Sequence, residues 1–172
     1  MRFSLQQNQE QQRGRLQDAA ADYNRQGVSA ILRGADHEAI YYLLSAAVCE
    51  PDYWLAFYNL GNCWAKLSEN QAALWAYEQA VRNCHHHAPL FLNLGIVCCR
   101  EGQAKRALPY LEQALRLNPA DAKCSAALGF AYYGLEEWGL AWHWYNKAFR
   151  LEPHNADFKV SMRIMEKKIS DG

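Results

Sequence analysis

The chain has 172 residues, of which 51% are hydrophobic and 21% charged, a composition that folds around a core and excludes a disordered polymer. Eighteen basic residues balance eighteen acidic ones, so no concentrated positive field is on offer to nucleic acid or to an anionic membrane. No window approaches a membrane-spanning apolar run and no signal-peptide pattern opens the chain, which predicts a cytoplasmic protein without a membrane partner.

In chain order, residues 1–19 come first and hold six glutamines. Residues 4–18 either extend the first helix or form a loose arm, and Gly14 weakens the helical reading. A period then sets in. Gly27, Gly61, Gly95 and Gly129 stand 34 residues apart with no insertion or deletion. Each is followed twelve residues later by an alanine (Ala39, Ala73, Ala107, Ala141) and seven further on by another (Ala46, Ala80, Ala114, Ala148). Pro51, Pro119 and Pro153 close three of the periods, and His85 takes that place in the remaining one.

The pattern predicts two antiparallel helices per period. Their backbones need small residues where they approach most closely, which the glycine and the alanines supply. Bulky residues three and four apart fill the remaining volume from one helical face: Phe57, Leu60 and Trp64, then Phe91 and Leu94, then Leu128 and Tyr132. Leu43, Tyr77, Leu111 and Tyr145 answer them from the second helices, and the proline ends each second helix because it lacks the N–H and clashes with the preceding turn. After the last period, residues 156–169 read as a helix covering the final apolar face, with Phe158, Met162 and Met165 inward and Lys159, Arg163, Glu166, Lys167 and Lys168 outward.

These residues resemble the tetratricopeptide repeat signature, W-x2-L-G-x2-Y followed by A, an aromatic, A and P. The second period is the best match, with Phe57, Leu60, Gly61, Trp64, Ala73, Tyr77 and Ala80. The pattern departs at Gln26, Ala30, Cys98, Ser125 and His85, and Ala30, Cys98 and Ser125 are expected to loosen the packing locally. The resemblance implies an all-α, right-handed superhelical solenoid of four helix-turn-helix units (20–53, 54–87, 88–121, 122–155) with a C-terminal capping helix over 156–172.

Candidate chemistry is sparse. The six cysteines form no C-x-x-C, and Cys98 and Cys99 are neighbours in a predicted helix where ordinary disulfide geometry is not available, so all read as reduced thiols used as small hydrophobes. Cys84-His85-His86-His87 has metal-ligating residue types, but adjacent residues rarely point at one centre, and the run reads as a solvent-facing turn with no metal and no cofactor. No nucleophile motif or phosphate loop is present, so no enzyme is predicted. Tyr41, Trp75 and Trp144 are expected on an outer surface, where they offer a contact for self-association or lie over neighbouring helix stems.

The resemblance further implies that the first helices line a concave groove that holds another protein. The residues at its groove positions are Asn24, Val28 and Ile31; Leu55, Tyr58, Asn59, Asn62 and Lys66; Leu92, Asn93, Ile96, Cys99 and Arg100; and Lys123, Phe130 and Tyr133. Asn62, Asn93 and Lys123 match three of the five positions at which family members clamp a terminal carboxylate, while Tyr58 and Ala127 occupy the places of a lysine and the arginine. Without the bidentate arginine that ligand loses its strongest partner. A groove that is mostly apolar and studded with asparagine instead fits a peptide or amphipathic segment. The alternative is a self-assembling scaffold joined through the N-terminal arm or the convex aromatics.

Overall fold

A computed structural model describes the backbone of residues 2–171 and the side chains from Gln6 onward. The described residues form helices throughout: α1 (Arg2–Leu32), α2 (Asp36–Cys49), α3 (Trp54–Lys66), α4 (Asn70–Asn83), α5 (Ala88–Arg100), α6 (Ala104–Leu117), α7 (Ala122–Gly134), α8 (Trp138–Leu151) and α9 (Ala156–Ser170). They divide into two compact units, residues 1–85 and 86–172. In the first, α1 packs on α2 and α3 on α4, with α2 against α3 and α1 touching α3. In the second, α5 packs on α6, α7 on α8 and α8 on α9, with α6 and α5 both against α7.

The period sets the packing at atomic scale. A Cβ on Gly61 would lie 2.4 Å from the Tyr77 ring, and on Gly95 2.5 Å from the Leu111 side chain. Gly27 faces Leu43 at 2.7 Å and Gly129 faces Tyr145 at 3.0 Å. Each glycine is thus a slot filled by the large residue of the facing helix. The departures from the pattern are absorbed: Ala30, Cys98 and Ser125 are all fully buried, and the Ser125 hydroxyl donates to the Asp121 carbonyl at 3.2 Å.

Turn chemistry repeats too. Gly34, Ser68, Gly102 and Glu136, again 34 residues apart, all take positive φ between 61° and 75°. Around each, the following residue's N–H reaches five residues back and the turn residue's own N–H three back, as in Ala35 to Ala30 (2.9 Å) and Gly34 to Ile31 (3.0 Å), or Glu137 to Tyr132 (3.0 Å) and Glu136 to Tyr133 (3.0 Å). This is the Schellman closure, which satisfies the carbonyls at the end of a helix. Glycine enters the left-handed region without steric cost, whereas a side chain there costs about 1–2 kcal/mol. Glu136→Gly is therefore expected to stabilise the second unit by about 0.5–1 kcal/mol after glycine's own entropy is deducted, read as a higher urea midpoint. An unchanged or lower midpoint would show that Glu136 is not strained.

Elsewhere helices are started by side chains. The Asp121 carboxylate accepts from the N–H of Lys123 (2.8 Å) and Cys124 (3.1 Å), and the Asn155 carbonyl accepts from that of Asp157 (3.1 Å), each satisfying N–H groups that a helix leaves open. The glutamine-rich segment is helical and continuous with α1. Its side chains from Gln6 to Arg13 are exposed.

Candidate functional site

The groove positions fall into two sets, one in each unit. In the first unit, much of the polar lining is bonded internally. The Asn59 side-chain amide donates to the Asn24 carbonyl oxygen at 3.0 Å, tying α3 to α1, and Asn24 is buried beneath the surface. Asn62 accepts from the Tyr77 hydroxyl at 2.8 Å. Lys66 is paired with Asp36 at 2.8 Å. Leu55, Val28 and Ile31 are half-buried, as is Tyr58, whose ring centre lies 6.4 Å from that of Trp54 and 6.3 Å from that of Tyr77. The asparagines here build the wall as well as lining it.

The second unit differs. Leu92 is buried among the α5 core residues, Asn93, Ile96 and Cys99 are half-buried, and Arg100 and Lys123 are exposed. Phe130 and Tyr133 stand out on α7, with 43% and 38% of their surface exposed on a helix whose remaining bulk is largely buried. They border an open pocket of about 200 Å³ whose other walls are Tyr145 from α8 and Ser161, Ile164 and Met165 from α9. Burial pushes the Tyr145 hydroxyl up to about 12, partly opposed by its hydrogen bond with Ser161. The pocket wall is thus uncharged at neutral pH.

Ser161 and Ile164 are absent from the groove positions read from the sequence. The signal that finds them is the 34-residue register carried one step past the fourth period. It sets Val160, Ser161 and Ile164 in line with Ala126, Ala127 and Phe130. The helix α9 does cover the core as expected, with Phe158 buried against Ala122 and Ala148 and Met165 buried as well, but it also carries Val160 and Ile164 into the open, 54% and 47% exposed.

The sequence's chemical candidates resolve as structure. Cys84 is buried, so the expected solvent-facing turn holds only for His85 and His86, which are exposed. The Nδ1 of His87 accepts from the Leu90 N–H at 3.3 Å and caps α5, and burial followed by the neighbouring His86 lowers its pKa, favouring the neutral ring that this cap requires. Among the described residues, no three His, Cys, Asp or Glu side chains converge as metal ligands would. All six cysteines are free thiols. Burial pushes Cys63 and Cys99 up to about 11 and Cys124 to about 12, away from the thiolate that nucleophilic chemistry needs. Cys124 spends its S–H on the Leu111 carbonyl, at 3.2 Å.

The outer aromatics divide. Tyr41 and Trp75 are exposed, Tyr41 by 65%. Trp144 is partly buried and carries the Lys147 ammonium 5.0 Å from its ring centre. Among the described residues, no helix is long and apolar enough to cross a membrane.

No family model matches the chain. Two curated proteins match it at 36% identity over 63 residues: cellulose synthase operon protein C of Escherichia coli strain K12 and the putative cellulose synthase operon protein C of Escherichia coli O157:H7. These matches cover 37% of this chain but only 5% and 6% of those proteins, so the chain spans a small fraction of their length. Likeness to solved structures extends along most of the chain. A double mutant of MamA RS-1 has 27% identity and a TM-score of 0.84, over 90% of this chain and 86% of that one. MamA 41-end from Desulfovibrio magneticus RS-1 has 26% identity and a TM-score of 0.78, over 90% and 93%. YrrB, a TPR protein with an unusual peptide-binding site, has 22% identity and a TM-score of 0.79, over 86% and 76%. The fold class is an all-α helical solenoid, as in these structures.

Proposed function

We propose that the chain is a tetratricopeptide-repeat protein, from its 34-residue period and the fold it shares with YrrB, and that it is a protein-interaction module that seats a peptide or amphipathic segment of a partner on the faces of its first helices. Its units are taken as 20–53, 54–87, 88–121 and 122–155, and its role is that of an adaptor, scaffold or chaperone rather than a catalyst. The observation that carries the proposal is the exposure of Phe130 and Tyr133 beside an apolar pocket. Large rings on a helix otherwise given over to the core are costly to leave in water, and such anchors dominate binding energy once a partner covers them. YrrB supports the reading as a structural neighbour whose fold carries a peptide-binding site. The terminal-carboxylate clamp is disfavoured, because Asn62 already serves Tyr77 and Ala127 stands in the arginine's place.

The test is affinity capture from native lysate with the wild type and with Tyr58→Ala plus Phe130→Ala. Each truncation is expected to remove about 2 kcal/mol of binding, so the double variant should capture no partner while its helical circular dichroism is retained. Unchanged capture would show that the first-helix faces are not the site.

A second reading has its own observation. Tyr41, Leu44 and Val48 form an exposed stripe on α2, with Val48 81% exposed. At the equivalent places the later units carry Trp75, Glu78 and Arg82, then Pro109, Glu112 and Arg116, then His143, Asn146 and Arg150. Only the first unit keeps two aliphatic residues there, which supports self-association through α2. Val48→Arg is expected to convert a concentration-dependent oligomer to monomer by light scattering. A wild type that is monomeric at every concentration removes this reading.

A further inference from the structure

We infer that α9 is a working part of the binding surface and not only a cover, and that the pocket it forms with α7 takes an acidic peptide segment through a bulky apolar side chain. The inference deepens the proposed function and rests on it.

The three sides of α9 differ in kind. Phe158 and Met165 are buried, and Met162 half-buried, against the preceding helices. Lys159, Arg163 and Glu166 occupy the register of Ser125, Gly129 and Tyr132, the side on which α7 receives α8. These charged side chains are exposed, and Glu166 also accepts from the Trp142 indole N–H at 3.1 Å. The third side is in register with Ala126, Phe130 and Gly134, and there α9 presents Val160, Ile164 and Lys168. A helix that served only to solvate the end would be polar there as well. Val160 and Ile164 are instead about half exposed, and Ile164 lines the pocket with Phe130 and Tyr133.

Charge identifies the occupant. On the first helices of the first unit, Arg25 is paired with Asp22 and Lys66 with Asp36. On the first-helix faces of the second unit and the register that continues them into α9 stand Arg100, Lys123, Lys167 and Lys168, with Asp157 as the acid in that register. Among the described residues, Arg100, Lys123 and Lys167 form no ion pair, and Lys168 lies 5.4 Å from the centre of the Trp138 ring. In a protein of zero net charge this local excess attracts carboxylates and repels a basic ligand. The small side chains Ala126, Ala127 and Ser161 leave room between the two helices, and the pocket volume suits one leucine- or tryptophan-sized group.

The probe is a fluorescein-labelled peptide, acetylated and amidated, with a central tryptophan and leucine among glutamates, set against its counterpart with lysine at every glutamate. Fluorescence anisotropy with the full chain is expected to show the glutamate peptide binding about tenfold more tightly, the difference shrinking as salt is raised. Ile164→Ser and Lys167→Glu, both exposed positions, should each weaken it about tenfold with the thermal midpoint unchanged. Equal binding of the lysine peptide, no binding of the glutamate peptide, or wild-type affinity in both variants would overturn the inference. So would binding that requires a free terminal carboxylate. In the lysate assay, capture lost by Tyr58→Ala plus Phe130→Ala but kept by Ile164→Ser and Lys167→Glu overturns this inference and leaves the broader one standing. Capture kept by all of them overturns both.

Discussion

Replacing Tyr77 by alanine is expected to destabilise the first unit by about 3–5 kcal/mol, as truncation of a buried aromatic ring does elsewhere. Tyr77 is 1% exposed, its ring fills the slot that Gly61 leaves open, and its hydroxyl is bonded to Asn62. Tyr77→Leu should cost far less, because Leu43 and Leu111 occupy the same register place opposite Gly27 and Gly95. Asn62 is half-buried, so water can replace the lost hydroxyl. Gly61→Ala is expected to cost about 1–3 kcal/mol by overpacking, even after alanine's better helix propensity. The two sites are in contact and should not add: in the Tyr77→Ala background, Gly61→Ala should cost less or stabilise. Gly14→Ala is the control, since nothing lies within 4 Å of a Cβ there, and it should stabilise by about 0.5–1 kcal/mol. Urea midpoints with a constant slope measure all five variants. An additive double variant would show that the slot and the ring are not one packing unit.

Replacing Pro109 by alanine should have the opposite sign, a gain of about 3 kcal/mol. Pro109 lies inside α6, where it can give no N–H to the Lys105 carbonyl and its ring presses on that carbonyl's turn. The side chain is exposed, so its removal leaves no cavity. The other second helices carry Tyr41, Trp75 and His143 at this place, all with the N–H that Pro109 lacks. A raised unfolding midpoint, with amide exchange slowed across α6, is the expected result. An unmoved midpoint would mean that α6 already accommodates the ring without strain.

Much of the frame was legible in the sequence because the period records a packing requirement. Two helices cannot approach without Gly61 and Ala73, or Gly95 and Ala107, and a slot in one helix demands a large residue in the other. Such constraints recur at fixed offsets and can be read from one chain. The left-handed turn was written less clearly, since only Gly34 and Gly102 mark it while Ser68 and Glu136 take the same conformation. There the tertiary structure overrides residue preference, because the paired helices require the turn whatever side chain it bears.

The candidate surface was legible only as a set of places. Periodicity put Asn24, Asn59 and Asn62 on the first-helix faces, but it could not say that Asn24 and Asn59 bond to each other or that Asn62 serves Tyr77. Residue spacing gives the direction of a side chain along its own helix, whereas its hydrogen-bond partner comes from another helix. The same holds for α9. By itself the sequence determined the repeat, its register and the covering role of Phe158 and Met165. Only the tertiary structure, by laying Ile164 beside Phe130 over Tyr145, decided that the last helix also opens a pocket, since exposure depends on what lies across the gap.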